Sequence, residues 1–193
     1  MNRRSLTRKP GKRRYKNMYV IAAEGSTTEP FYFAMFNDEN NTIHIKFLPG
    51  KSKSAPEQVL SRMKEFLRRE RLQKDDEAWL VVDKDQWEDD DLQKLYEWSR
   101  SKDNYGLAVS NPKFEFWLLL HFEDGKSVST ATQCDRKLKR YIPNYSKNCV
   151  VKKHLFPLVP DACERAKQKD SPPCSDWPRS KGSTVYRLVE KLI

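Results

Sequence analysis

Short apolar runs alternate with segments of helical periodicity over the first two thirds of the chain. Met18–Ala23, Thr42–Leu48, Trp79–Val82 and Tyr105–Val109 each have the length and composition of a strand. The first and third are almost uninterrupted apolar runs rich in β-branched residues. Such runs are expected of strands buried on both faces of a parallel sheet. Between them the period changes. A helix is predicted to start near Glu29-Pro30, with Thr27 or Thr28 as its cap and Phe31, Phe33, Ala34 and Phe36 packing part of it. Pro56–Leu72 places Val59, Leu60, Met63, Phe66 and Leu67 at helical spacing. A further helix is expected over Leu92–Ser99. Lys113–Phe122 is apolar nearly all round and therefore reads as a buried helix, with Asn111 as cap and Pro112 at its first position. Alternation of this kind predicts an α/β fold with a mostly parallel central sheet flanked by helices.

Beyond Phe122 the signals weaken. Helices are expected over Thr130–Tyr141, Leu155–Lys169 and Val185–Ile193, the last capped by Ser183 or Thr184. Pro143–Lys153 reads as a loop. Asp170–Gly182 holds Pro172, Pro173 and Pro178 and reads as a long irregular segment, either a lid or a partner surface. The expected organisation is a basic tail over residues 1–17 and one domain over 18–193. Its core covers about 18–122, with a helical and irregular extension over about 123–193.

Charge narrows the partners. The 193 residues carry a formal net charge of +10, which favours a polyanion, most simply nucleic acid. An anionic membrane surface is the rival, but no apolar run is long enough to span a bilayer. The longest, Phe114–Phe122, contains Glu115 and His121. The tail has no acid among its arginines and lysines, Arg13 and Arg14 included. It is either a loose phosphate grip or a solubilising lead-in. The four cysteines form no CxxC pair, and the three histidines lie at unrelated spacings, so zinc has little support. No secretory leader is visible, and a reduced, cytoplasmic protein is expected.

Acids stand where strands end. Glu24-Gly25 follows the first strand, and Asp83-Lys84-Asp85 ends the third. In open α/β sheets chemistry gathers outside the carboxyl ends of the strands. Two aspartates one residue apart repel each other unless a cation neutralises them, and hard oxygen donors suit Mg2+. The bland reading is solvated loop acids or helix-cap residues. Glu115 is conspicuous because a carboxylate in a buried helix needs a partner or a metal. Pro49–Ser54 is a basic turn that lacks the glycine spacing of a phosphate loop.

The paired motifs, Glu24-Gly25 and Asp83-x-Asp85, resemble the Toprim domain of primases, topoisomerases and small nucleases. Four longer segments sharpen this: Glu24–Phe33 (EGSTTEPFYF), Val82–Asp85 (VDKD), Ser110–Phe122 (SNPKFEFWLLLHF) and Gly182–Tyr186 (GSTVY). Together they resemble the RloB family, found in bacterial restriction-type and abortive-infection loci, commonly beside an AAA or ABC-type ATPase. The resemblance implies a Toprim-like fold, Mg2+ or Mn2+, an effector nuclease acting on RNA or DNA, and an ATPase partner. It implies Glu24 as a general acid/base, Asp83 and Asp85 as a metal-binding pair that Glu24 is expected to join, and Glu115 in a supporting acidic role. No tyrosine stands out as a topoisomerase nucleophile, so hydrolysis by water is the simpler expectation. Arg13, Arg14, Lys84, Lys113, Arg179 and Lys181 are expected to meet the nucleic acid, although strand alternation turns Lys84 away from its neighbouring acids. The rival expectation is a non-catalytic nucleic-acid-binding or sensor subunit. A second is an enzyme acting on small nucleotides.

Overall fold

The computed structural model describes residues 17–37, 43–50, 55–84, 87–143 and 152–193. Five strands form one sheet in the order β2-β1-β3-β4-β5. They are β1 (Asn17–Ala23), β2 (Ile43–Leu48), β3 (Glu77–Asp83), β4 (Tyr105–Asn111) and β5 (Gly182–Ser183). The first four run parallel, and β5 is antiparallel to β4. The fold is the expected α/β class.

Both faces of the sheet are covered, which is why β1, β3 and most of β4 lack polar alternation, whereas the edge strand β2 keeps it with His44 and Lys46. Tyr19, Ile21 and Ala23 of β1 and Trp79 and Val81 of β3 point into one core. That core is completed by α1 (Thr28–Ala34), α4 (Phe114–Leu119), α5 (Ala131–Tyr141), α7 (Val159–Lys169) and α8 (Tyr186–Val189). Val20, Ala22, Leu80 and Val82 point the other way, toward α2 (Pro56–Arg69) and α3 (Asp89–Ser99). Gly106 is required where β4 passes Trp79, because a Cβ there would meet the indole ring.

Several boundaries differ from expectation. The strand expected to stop at Val109 continues through Ser110 and Asn111, which pair with Ser183 and Gly182. The buried helix therefore starts at Phe114, with Lys113 rather than Asn111 at its cap. Asn111 instead donates its side-chain N–H to the carbonyl of Pro178 at 3.0 Å. Ser183, expected to cap the last helix, lies in β5, and its hydroxyl meets that of Ser110 at 2.9 Å. The helix expected over Leu155–Lys169 is broken. A short helix, α6 (Lys152–Leu155), passes through a 3-10 turn at Phe156–Leu158 before α7 begins. Pro157 lies in that turn and has no N–H to give an α-helical ladder. α2 ends at Arg69, three residues early. The chain beyond Phe122 thus returns to the sheet edge and shares its core. The Asp170–Gly182 segment is irregular, as expected, and buries Trp177 against the α2–α3 side.

Candidate functional site

The order β2-β1-β3-β4 places a topological switch point between β1 and β3, where ligands collect in sheets of this kind. Glu24 follows β1 directly, and its backbone N–H donates to the carbonyl of Val81 in β3 at 3.1 Å. Asp83 is the last residue of β3. These two acids, 59 residues apart in the chain, are joined across that gap: the backbone N–H of Asp83 donates to Oε2 of Glu24 at 3.3 Å. The same oxygen accepts the indole N–H of Trp87 at 3.1 Å.

Asp83 turns its own carboxylate toward the next strand. Its Oδ1 accepts the N–H of Phe114, the first residue of α4, at 2.8 Å. The unsatisfied donors and positive end of a helix N-terminus favour an anion there. Even so, burial pushes the Asp83 carboxyl well above the ordinary aspartate range. Three negative neighbours, Glu29, Glu24 and Glu115, push it the same way.

Sequence pattern marks Glu29 only as a residue of a helix's first turn. The structure buries it to 5% exposure beside the predicted acids. Its Oε1 accepts the N–H of Gly25 at 3.0 Å. Burial, with Glu115 and Glu24 nearby, pushes its carboxyl up to about 7. Gly25 allows this approach, since a Cβ there would run into the Glu29 carboxylate. A signal does exist in the sequence: Glu29 sits among Phe31, Tyr32 and Phe33, much as Glu115 sits among Phe114, Phe116 and Trp117.

Glu115 is 5% exposed, and its cation is Lys113, with Nζ 3.8 Å away. Lys113 also reaches Asp135 of α5 at 2.7 Å. Burial alone would lower the Lys113 pKa, but Glu115 and Asp135 outweigh it and hold the ammonium charged. Asp135 and Trp87 are further participants that no sequence motif marks. Arg62 of α2 also comes to this edge, donating to the carbonyl of Ala23, the residue before Glu24.

The other predicted nucleic-acid residues lie differently. Lys84 turns away from Asp83, holding the Trp87 carbonyl and pairing with Asp89 at 3.2 Å. Arg179 lies over the Trp177 ring at 4.2 Å and pairs with Asp176 at 2.7 Å. Lys181 is exposed near Lys169. Asp85, Arg13 and Arg14 lie outside the described residues. His121 is a core residue, with Nε2 3.2 Å from the Tyr32 hydroxyl, and burial depresses its pKa to about 4.

A divalent metal fits this donor set by type and charge. Glu24, Glu29, Asp83 and Glu115 are hard oxygen donors, and the pKa values of Asp83 and Glu29 rise partly through mutual repulsion that a cation would relieve. Among the described residues, however, no three His, Cys, Asp or Glu side chains are already grouped so as to hold an ion.

The family of RloB-like proteins matches residues 19–192. The chain belongs to the RloB-like family. No match is found among curated proteins or among solved structures. All four segments that carry the resemblance fall within the matched region of this RloB-like chain, as do Glu24, Glu29, Asp83 and Glu115. No helix among the described residues is long and apolar enough to cross a membrane.

Proposed function

We propose that this RloB-like protein hydrolyses phosphodiester bonds of RNA or DNA with the help of Mg2+ or Mn2+. In this reading it is the effector of an anti-phage abortive-infection system that includes an AAA or ABC-type ATPase. The observation that carries the proposal is the meeting of Glu24, Asp83, Glu29 and Glu115 at one sheet edge, with the pKa values of Asp83 and Glu29 raised by burial and crowding. Such crowding opposes ionisation and is a feature of functional sites. Asp83 and Glu24, together with Asp85, would hold the metal in a Toprim-like arrangement. The chemistry such an ion would supply there is polarisation of a phosphoryl group and a more acidic water.

The chain's own groups supply the rest. Trp87 and the Asp83 N–H fix one oxygen of Glu24. Glu29, poised near neutral pH, is suited to take a proton from water or give one to a leaving oxygen. Lys113 offsets part of the negative charge.

The test uses purified protein with labelled tRNA, plasmid and single strands, with Mg2+, Mn2+ or EDTA, and with and without the neighbouring ATPase. Metal-dependent cutting that disappears in Asp83→Ala while binding persists supports hydrolysis. A second reading, a non-catalytic nucleic-acid-binding or sensor subunit, is favoured by the formal net charge of +10. It predicts binding without cutting under every condition, unchanged by Asp83→Ala.

A further inference from the structure

The strongest surface feature apart from the acids lies on the other face of the sheet. Three clefts of about 460, 590 and 530 Å3 run between α2 and α3 and around their C-terminal ends. Ser61, Lys64 and Trp98 line both the first and the second, and Leu67 and Tyr105 both the second and the third. The three therefore form one furrow. α2 follows β2 and α3 follows β3, so both helices start at the acidic edge and lead away from it. A seven-residue strand separates the two edges by about 23 Å.

The charges of this furrow are unevenly matched. Lys64, Arg68, Arg71, Lys74, Lys94 and Lys102 line it, and all six are exposed. None of them forms an ion pair among the described residues. Two of its four acids are engaged from outside the furrow, Glu65 by Arg69 at 2.5 Å and Glu70 by Lys46 at 2.9 Å, while Glu57 forms no ion pair among the described residues. Glu97 accepts a hydrogen bond from Gln93 at 3.0 Å. The floor is apolar, with Trp98 stacked on Tyr105 at 4.4 Å and Lys102 held 5.0 Å from the Tyr105 ring. Tyr105 is covered by both, which leaves it poorly placed to stack on a base. Cations without acidic partners, spread along a track, match a repeating anion.

We propose that this furrow binds the phosphodiester backbone of nucleic acid, without reading its sequence, on a face remote from the acidic site. The proposal rests on nucleic acid being the partner class, but not on its being cut. Among the described residues, six cations without acidic partners stand against two acids without cationic ones, Glu57 and Glu97, and this positive excess along one track is more than a solvated face needs. Packed helix axes lie about 8–10 Å apart, so the furrow takes a single strand or one backbone of a duplex.

The test is fluorescence anisotropy of the full chain in EDTA, with labelled single strands and duplexes of RNA and DNA. The variant Lys64→Gln/Arg68→Gln/Lys102→Gln is compared with Lys126→Gln/Lys167→Gln/Lys191→Gln. The comparison variant removes the same charge from cations that already sit in ion pairs. Every phosphate that goes unneutralised should flatten the log–log salt dependence by about 0.7–0.9, and the furrow variant should bind at least about tenfold more weakly at moderate salt. The comparison variant should stay within about threefold of the parent, because its cations do not touch the nucleic-acid backbone. Weakening with single strands, duplexes or both supports the proposal and identifies the form bound. No binding by the parent chain, or equal weakening in the two variants, overturns it. So does unchanged nucleic-acid affinity in a furrow variant that no longer binds a protein partner. Asp83→Ala separates the two proposals: abolished cleavage with unchanged anisotropy touches hydrolysis alone.

Discussion

Oδ1 of Asp83 accepts the backbone N–H of Phe114 at 2.8 Å. One side chain thus ends β3, satisfies the start of α4 and stands among three other carboxylates. The hydrogen bond favours its charge, whereas burial and Glu29, Glu24 and Glu115 oppose it. The opposing side wins, so this aspartate destabilises the fold when ionised.

Asp83→Asn separates these effects. The amide oxygen still accepts from Phe114, and the charge is gone. Its melting temperature at pH 8 should exceed that of the parent by about 2 °C or more, while metal-dependent cleavage falls at least about a hundredfold. Asp83→Ala also loses the helix-start acceptor, at a cost of about 1 kcal/mol, and should gain less. Scanning fluorimetry of the two variants decides this; a lower melting temperature for Asp83→Asn would contradict the account.

Glu29 makes stability fall as pH rises. Its carboxyl is near 4.5 when unfolded and about 7 in the fold. Below pH 4.5 both states hold the proton, and the fold bears no penalty. Between 4.5 and 7 the unfolded chain ionises first, so the folded state loses ground, and above 7 the loss is complete. The full difference is on the order of 3 kcal/mol. Urea unfolding of Glu29→Gln across this window should remove most of that slope.

Metal binding should run against this trend, because a carboxylate must lose its proton to become a ligand. Millimolar Mg2+ is expected to raise the melting temperature more at pH 8 than at pH 6. EDTA should reverse the effect, and Asp83→Asn should abolish it. An equal shift in parent and variant would place the ion elsewhere.

Trp87 restrains Glu24 through a single N–H. Trp87→Phe keeps most of the ring volume and removes that donor. Cleavage should drop about tenfold, with the melting temperature within about 2 °C of the parent. Loss of folding instead would make Trp87 a packing residue.

Lys113 serves two acids, one of them buried. Lys113→Met leaves Glu115 without this cation and should destabilise the protein by about 2 kcal/mol or more. Adding Glu115→Gln should recover much of that loss. A double-mutant cycle on chemical unfolding measures the coupling.

Much of the architecture is legible in the sequence because burial on two faces writes itself into composition. The apolar runs of β1 and β3 could hardly be anything but inner strands, and Phe114–Leu119, apolar except for Glu115, had to be enclosed. The ends of elements are less legible. β4 outruns its apolar run because Gly182 and Ser183, over 70 residues later, supply pairing partners that no local pattern announces. Asn111 looks like the cap of α4 for the same reason: the acceptor that serves this helix comes from Asp83 on another strand.

Taken alone, the chain determined that the apolar runs of β1 and β3 must be hidden and that Glu24 and Asp83 stand where those runs end. It did so because hydrophobic burial and backbone geometry act over a few neighbouring residues. Only the tertiary structure decided that Glu24 lies against Asp83, that Glu29 joins them and that Lys113 is shared with Asp135. Charges act through space at a few ångströms, and only the packing of β1 beside β3 and of α5 against α4 sets which ones lie that close.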